Sequence, residues 1–296
     1  MKNKVYKFAF VILNYLTIED TIECVNSIIN NIDYPNYKIV IVDNGSPNGS
    51  GAIIKERFNT HDKITVILNK KNLGFAKGNN IGFQHAKYRL KADFIALINN
   101  DTIIEQSNFI SKIIEKFKST NFHILGPDII SIKNGLHQSP MPLKYQNKNL
   151  LKSQINLYSI KLILNYFLLD NFLEKLKKSF IKTPFVQSGP KTGPSWTEEK
   201  KNVKLHGSVL IFSPLYIELY EGLYPKTFMF MEEAILYFIA HRDKLATVYC
   251  PDIKILHKED SSIDEVYKKD YKKRRFTYKY FIKSSKELLK LMEKSE

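Results

Sequence analysis

The first hundred residues alternate short apolar runs with amphipathic stretches, and this alternation restricts the chain to few folds. The runs FAFVIL, KIVIV and FIALI, at residues 8–13, 38–42 and 94–98, are almost continuously apolar, as strands buried on both faces of a sheet are. Stretches with helical spacing separate them. The pattern predicts an α/β fold with a mostly parallel sheet flanked by helices.

Composition and length favour a globular intracellular chain. With 296 residues and 44% hydrophobic content, the chain is long enough to bury a large core. Its two cysteines, Cys24 and Cys250, match no metal or redox spacing, which suits a reducing cytoplasm. No run of about 18 uncharged apolar residues is present that would span a bilayer. We therefore expect a cytoplasmic protein.

Polar residues follow three of the predicted strands. Asn14 and Asp43 end the first two, and Asn99, Asn100 and Asp101 follow the fourth. Ligands of open parallel sheets bind beyond the carboxyl ends of the strands, so these residues should converge on one crevice. A carboxylate at position 43 can bind a base or ribose, and one at position 101 can hold Mg²⁺ or Mn²⁺. Each residue alone is equally compatible with a turn or a helix cap.

The segment NKKNLGFAKGNNIG, residues 69–82, introduces a predicted helix with glycines and amides. Small residues at a helix N-terminus leave backbone N–H groups available to phosphate. The spacing of Gly74, Gly78 and Gly82 does not follow the pattern GxGxxG, so a dinucleotide fold is not supported.

Two basic helical segments lie outside this pattern. In the insertion, residues 137–202, apolar side chains recur every three or four positions from Ile155 to Phe180. The tail, residues 263–296, is also basic and helical, and the whole chain has a formal charge of +15. The apolar stripe can lie on an anionic membrane or pack on the main domain, and we expect membrane contact. No nucleic-acid motif accompanies the charge, so we expect no specific nucleic-acid partner.

The motifs VDNGSPNGS, NKKNLGFAKGNNIG and LINNDT occur in this order, each after a predicted strand. Together they resemble family 2 glycosyltransferases with the GT-A fold, such as bacterial transferases of capsule and O-antigen synthesis. The segments HGSVLIF, TFMFMEEAIL and PDIKILHKEDSS resemble the acceptor-site block of that family. The resemblance covers residues 6–135 and 203–262, and it implies a nucleotide-sugar half (1–136) and an acceptor half (203–262).

The resemblance also implies roles for residues of the donor site. Asp43 would contact the nucleobase, and Asn79 and Asn80 would border the donor. The family's metal motif is Asp-x-Asp or a variant, and here only Asp101 can supply a charged ligand. We expect the nucleotide sugar to contact Asn14, Asp43, Asn72, Asn79, Asn80, Asn99, Asn100, His206 and Gly207.

In the acceptor block, Glu232 and Glu233 match the family's catalytic acidic pair. The second acid would remove the proton from the acceptor hydroxyl, which becomes a good nucleophile only as that proton leaves. The family usually has another acid where this chain has Ile235. His257 resembles a histidine that reaches the metal or diphosphate, with Lys258 and Ser262 close enough to contact phosphate.

These inferences predict an inverting glycosyltransferase that uses Mn²⁺ or Mg²⁺. It would move one sugar from a UDP- or dTDP-linked donor to a lipid-linked saccharide during synthesis of a surface polysaccharide, at the inner face of the plasma membrane. The alternative is a non-catalytic protein that binds nucleotide sugars or acts as a membrane scaffold. A nucleotidyltransferase is a further rival, but the Gly-rich loop and Arg expected after its first strand are missing.

Overall fold

The computed structural model describes residues 4–143, 147–170, 196–259 and 269–295. The α/β architecture expected from the sequence is present, with one mixed sheet whose longer ladders are parallel. Its strands are β1 (Phe8–Asn14), β2 (Tyr37–Asp43), β3 (Ile64–Leu68), β4 (Phe94–Asn99), β5 (Thr102–Ile103), β6 (Ile124–Ser131), β7 (Lys200–Lys201), β8 (Val209–Phe212) and β9 (Thr247–His257). The helices are α1 (Ile18–Asn31), α2 (Ser50–Phe58), α3 (Phe75–Gln84), α4 (Phe109–Thr120), α5 (Lys148–Tyr166), α6 (Pro214–Leu219), α7 (Glu232–Arg242) and α8 (Asp270–Glu293).

The strand order is β3-β2-β1-β4-β8-β6-β9-β5, and β7 pairs with β9. Helical crossovers join β1, β2, β3 and β4, which is why these four strands are parallel. The register pairs Asn14 with Asp43 and Leu13 with Asn99, so the polar strand ends lie along one edge. At the end of β9, His257 pairs with Thr102 and therefore reaches the same region.

Both faces of the central strands are buried, as their continuous apolar runs predicted. On one face, Phe8, Phe10 and Ile12 belong to a core that includes side chains of α1 and α4. On the other face, Ala9 and Val11 pack in a second core with α3 and α6. Each Å² of apolar surface removed from water contributes about 25 cal/mol to the free energy of folding, so burial on both faces lets these strands contribute strongly to stability.

A third core joins the predicted insertion and tail to the predicted acceptor half. Ile155 of α5, Ile235 of α7 and Phe281 of α8 are buried in it. The ring of Tyr158 stacks on Phe281 with their centroids 4.2 Å apart. From Ile155 to Leu162 the stripe that we expected to face a membrane is therefore used for packing in a bundle of three helices, whereas Tyr166 and Leu169 farther along are exposed. The stripe from Leu173 to Phe180 lies outside the described residues.

No helix in the described ranges is long and apolar enough to cross a membrane.

Candidate active site

A pocket of about 640 Å³ opens at the edge where β1 and β4 end, between that edge and the start of α7. Nine of the residues expected from the sequence line it: Asn72, Asn99, Asn100, Asp101, His206, Gly207, Glu232, Glu233 and His257. Four expected residues do not line it: Asn14, Asp43, Asn79 and Asn80. The pocket thus brings together the predicted metal residues and the predicted acidic pair, and Asp101 is more than 130 positions from that pair in the sequence.

The loop before α7 has a strained backbone. Phe230 and Met231 have φ angles of 69° and 70°, a left-handed conformation that non-glycine residues rarely adopt. The loop is held from two sides: Ser284 of α8 donates a hydrogen bond to the carbonyl of Met229 at 2.8 Å, and the carbonyl of Phe228 accepts one from the N–H of Phe75 at 2.7 Å. These contacts stabilise the strained turn that places the acidic pair at the pocket.

Glu232, the first acid of the pair, is buried. Burial, together with the charge of Glu233, raises the pKa of its carboxyl to about 8. Its Oε1 has no hydrogen-bond partner in the described structure, since the nearby Thr227 hydroxyl does not reach hydrogen-bond geometry. At neutral pH the carboxyl is therefore mostly protonated, so only a minor fraction of Glu232 is in the form that can accept a proton.

Glu233 lies against the backbone of Gly207. A Cβ at position 207 would come within 2.2 Å of Glu233 Oε1 and 2.9 Å of its Cδ. Both residues line the pocket. The absence of a side chain at Gly207 is therefore what leaves room for the carboxylate of Glu233.

Asp101 and His257 lie together on the wall formed by β4 and β9. His257 Nε2 is 3.2 Å from Asp101 Oδ2, and both side chains are about nine-tenths buried. Adjacent ligands bound at about 2.1 Å to one octahedral ion stand about 3 Å apart, so these two atoms fit a single Mg²⁺ or Mn²⁺. Across the described ranges no group of three or more His, Cys, Asp or Glu side chains could hold an ion. A cation here would need further oxygens, and Mg²⁺ usually takes those from substrate phosphates.

Asn99 and Asn100 differ in how firmly they are held. The Asn100 side chain donates to the carbonyl and hydroxyl of Thr17 and to the hydroxyl of Thr21, at 3.2, 2.6 and 2.8 Å. The amide nitrogen of Asn100 is thus hydrogen-bonded to residues at the start of α1. Asn99 has its backbone N–H bonded to the carbonyl of Ser208 at 2.8 Å, and its side chain lines the pocket.

His206 is a neutral hydrogen-bond donor in the pocket wall. Its Nδ1 accepts the backbone N–H of Ser208 at 3.2 Å, so the proton of the neutral ring lies on Nε2. Burial, with a smaller contribution from His257 and Lys204, lowers the pKa of His206 to about 3. The ring can therefore donate to a phosphate or sugar oxygen without carrying charge.

Asp43 is almost fully buried below the pocket, with 4% of its surface exposed. Its Oδ1 accepts the backbone N–H groups of Gly45 and Ser46 at 3.2 and 3.0 Å. Its Oδ2 accepts from Asn14 at 2.7 Å, and Asn14 is itself fully buried. Asn14 therefore orients Asp43. Asn14 itself is not exposed to a ligand.

Asn79 and Asn80 do not face the pocket. Asn79 donates to the carbonyl of Phe75 within its own helix at 3.0 Å. Asn80 bonds the backbone of Leu223 through both side-chain groups at 2.7 Å. We expected both to border the donor, but these contacts show that Asn80 joins α3 to the loop after α6.

Contrary to our expectation, the first N–H groups at the N-terminus of α3 are not free to bind phosphate. Its first N–H, from Phe75, donates to the carbonyl of Phe228, and Asn72 Oδ1 accepts the N–H of Gly74 at 2.8 Å. Similarly, Lys258 is not free for phosphate, because its ammonium pairs with Asp20 and with Glu23. Ser262 lies outside the described residues.

Several pocket residues were not found from the sequence. Asn44 lines the pocket and donates to Asn72 at 3.0 Å; its place in the VDN motif could have indicated it. Phe281 of α8 and Gln138 carry no local motif, and only the packing of distant segments brings them to the pocket.

The sheet and its helices have the GT-A fold of solved glycosyltransferases. TarS of S. aureus (residues 1–349) superposes with a TM-score of 0.54 at 12% identity, covering 85% of this chain and 60% of TarS. Its complex with UDP gives 0.54 at 11% identity, covering 92% and 65%. The structure of GalNAc-T7 with UDP, GalNAc and Mn²⁺ gives 0.55 at 12% identity, covering 87% and 44%. At these identities the likeness concerns the fold.

The sequence places the chain within this class. The model of the glycosyl transferase family 2 matches residues 10–202, about two thirds of the chain, so the protein belongs to that family. It is also 28% identical over 93 residues to the glycosyltransferase GlyG of Streptococcus pneumoniae serotype 4. That alignment covers 31% of this chain and 29% of GlyG, so the chain matches less than a third of the length of that relative.

Proposed function

We propose that this chain is an inverting glycosyltransferase that moves a single sugar from a UDP- or dTDP-linked donor to an acceptor hydroxyl. One observation carries the proposal: a single pocket holds an acidic pair on one wall and an Asp–His pair on the other. Sugar transfer needs a base for the acceptor and a site for the diphosphate, and these two walls can supply them.

In the proposed step, Glu233 accepts the proton of the acceptor hydroxyl. The acceptor oxygen forms a bond to the anomeric carbon from the face opposite the leaving group. The bond between that carbon and the phosphate oxygen breaks, and its electron pair departs with the nucleoside diphosphate. Attack from the opposite face inverts the configuration. Glu232 is mostly protonated at neutral pH because of its raised pKa, so we assign the role of base to Glu233 and a supporting role beside it to Glu232.

For the donor, we propose that Asn72, Asn99, Asn100, His206 and Gly207, which line the pocket, contact the nucleotide sugar. Asp43 would read the base from below, in the orientation that Asn14 gives it. Asp101 and His257 would hold Mn²⁺ or Mg²⁺, which would offset the negative charge of the departing diphosphate. The structures of TarS with UDP and of GalNAc-T7 with UDP and Mn²⁺ favour UDP as the first nucleotide to test.

Donor binding tests this proposal directly. We expect purified protein to bind a UDP- or dTDP-sugar in calorimetric titrations with Mn²⁺ or Mg²⁺, and to lose at least about tenfold in affinity with a chelator. Asp101→Asn should remove that metal-dependent part because it neutralises the only charged oxygen ligand of the pair. Asp62→Asn, at a residue with an 85% exposed side chain, is the control and should bind as wild type does. Donor binding without turnover on any acceptor would favour the non-catalytic alternative.

We also propose that the acceptor is lipid-linked, that the product enters a surface polysaccharide, and that the enzyme works at the inner face of the plasma membrane. Support comes from the net charge of +15 and from apolar side chains that α5 and the following turn expose, among them Leu157, Ile160, Ile163 and Phe167. Basic proteins with exposed apolar side chains can bind anionic bilayers.

Our proposed division of the chain is a donor half (1–136), an insertion (137–202), an acceptor half (203–262) and a tail (263–296). Two parts of the insertion belong to the central fold: Gln138 lines the pocket, and β7 pairs with β9 in the sheet.

Vesicle sedimentation tests the membrane part. We expect the protein to sediment with vesicles that contain anionic lipid and much less with neutral vesicles, because the charge contributes about 1 kcal/mol per basic residue near the surface. The double variant Ile160→Glu, Ile163→Glu should lower this binding. Leu219→Glu, at a residue that α6 exposes, is the matched control. If the double variant sedimented as much as wild type and the control do, α5 would have no role in membrane binding.

A further inference from the structure

Gln138 lies on a segment that returns along β6 after a tight turn. Its backbone N–H donates to the carbonyl of Ile129 at 2.8 Å. The preceding residue, His137, has its Nδ1 2.8 and 2.9 Å from the two oxygens of the fully buried Asp128, and its ring stacks on Trp196 with the centroids 3.6 Å apart. The backbone of Gln138 is therefore fixed at two neighbouring points, and its side chain lines the pocket.

The orientation of the Gln138 amide follows from its contact with Glu259. Its Nε2 donates to Glu259 Oε1 at 2.8 Å, and an ionised carboxylate can only accept. The other end of the amide, Oε1, is thus the atom that faces His257, at 2.7 Å from Nδ1. An amide oxygen also only accepts, so Nδ1 of His257 must carry the proton. With Nδ1 donating to Gln138, the nitrogen left to bind a cation is Nε2, which is 3.2 Å from Asp101 Oδ2.

The neighbouring histidine has the opposite arrangement. His206 receives the backbone N–H of Ser208 on Nδ1, so its proton is on Nε2. The two rings are 5.7 Å apart at their centroids. The pocket therefore contains one imidazole whose Nδ1 accepts a hydrogen bond and one whose Nδ1 donates, and the partner of each Nδ1 decides which.

We propose that Gln138, oriented by Glu259, is a positioning residue that holds His257 in the tautomer that can ligate a divalent cation beside Asp101. This inference rests on the proposed function, in which His257 and Asp101 hold the ion. A hydrogen bond accepted from the far nitrogen of a ligating histidine fixes the ring and increases the basicity of the ligating nitrogen. Loss of such a partner typically costs about 10- to 100-fold in metal affinity.

Mn²⁺ binding in the presence of UDP, followed by the EPR signal of free Mn²⁺, tests the proposal. We expect Gln138→Leu to raise the Kd for Mn²⁺ about 10- to 100-fold. Glu259→Gln should give a smaller increase, because an amide at position 259 can either accept or donate and so no longer fixes the orientation of the Gln138 amide. Gln84→Leu, the same exchange at an exposed residue outside the pocket, should bind Mn²⁺ as wild type does.

The tautomer itself gives a second readout that needs neither metal nor activity. In metal-free protein with ¹⁵N-labelled histidine, at about pH 8 where an ordinary histidine is neutral, we expect His257 to be protonated on Nδ1 and His206 on Nε2. Gln138→Leu should change the His257 signals and leave those of His206 unchanged.

The outcomes separate this inference from the proposed function. Equal Mn²⁺ affinity in wild type and Gln138→Leu, or wild-type His257 without a proton on Nδ1, would overturn the role of Gln138 alone. Failure of the wild-type protein to bind Mn²⁺ with UDP would overturn the metal site of the proposed function and this role of Gln138 with it.

Discussion

Glu233→Gln is expected to lower the rate of sugar transfer by at least about a hundredfold, the usual contribution of a general base. The amide has nearly the shape of the carboxylate but takes no proton, so the acceptor hydroxyl is no longer activated. The variant should bind donor as wild type does, since Glu233 acts on the acceptor. Release of nucleoside diphosphate in the presence of acceptor, together with donor titrations, measures both quantities.

The neighbouring acid provides the matched comparison. Burial and the charge of Glu233 raise the pKa of Glu232 to about 8, so at neutral pH Gln replaces a carboxyl that is already mostly neutral. Glu232→Gln should therefore lose far less activity than Glu233→Gln. If the two variants lost equal activity, or if Glu232→Gln alone were inactive, the assignment of the base to Glu233 would be wrong.

Gly207→Ala is expected to give the second large effect, a loss of transfer on the order of a hundredfold, because a displacement of about 1 Å can cost that much. The new Cβ would lie 2.2 Å from Glu233 Oε1, which must move away. That oxygen is the end of a flexible side chain, so the displacement costs little folding free energy. We expect the midpoint of thermal unfolding to stay close to that of wild type while transfer falls.

Gly126→Ala is the control for this prediction. Its Cβ would meet the side chain of Leu205, with 2.7 Å to Cδ2, inside the core on β6. This variant should lose stability through overpacking and keep transfer, the reverse of the pattern at Gly207. Normal transfer in Gly207→Ala would show that the carboxylate of Glu233 need not occupy the position seen in the structure.

The strands of the donor half could be predicted closely because their signal is local. A continuous apolar run such as residues 8–13 is stable only where both faces are covered, and β1 occupies that position at the centre of the sheet. The signal is less local at residues 246–257: Pro251 and Asp252 interrupt the apolar run there, whereas the structure has the single strand β9 with a register shift in its pairing to β6. Pairing across the sheet, which the sequence does not display, keeps β9 continuous.

The sequence predicted which residues form the candidate site better than it predicted what each of them does. Asp101, Glu233 and His257 were expected to meet and do line one pocket. Asn14 and Asn80 lie in the expected motifs, but they hydrogen-bond Asp43 and Leu223 inside the protein. A motif shows that a polar side chain is needed at a position; whether that side chain faces a ligand or fixes a neighbour depends on the direction that packing gives it.

The sequence by itself determined the βαβα order, the convergence of polar strand ends on one edge, and the pair of acids at the start of a helix, because each follows from residues close together in the chain. The tertiary structure alone decided which acid is buried and protonated, which partner each histidine has, and that α8 packs beside the acidic pair. These properties depend on desolvation and on hydrogen bonds between residues as distant as Gln138 and His257. Such terms exist only once the chain has folded.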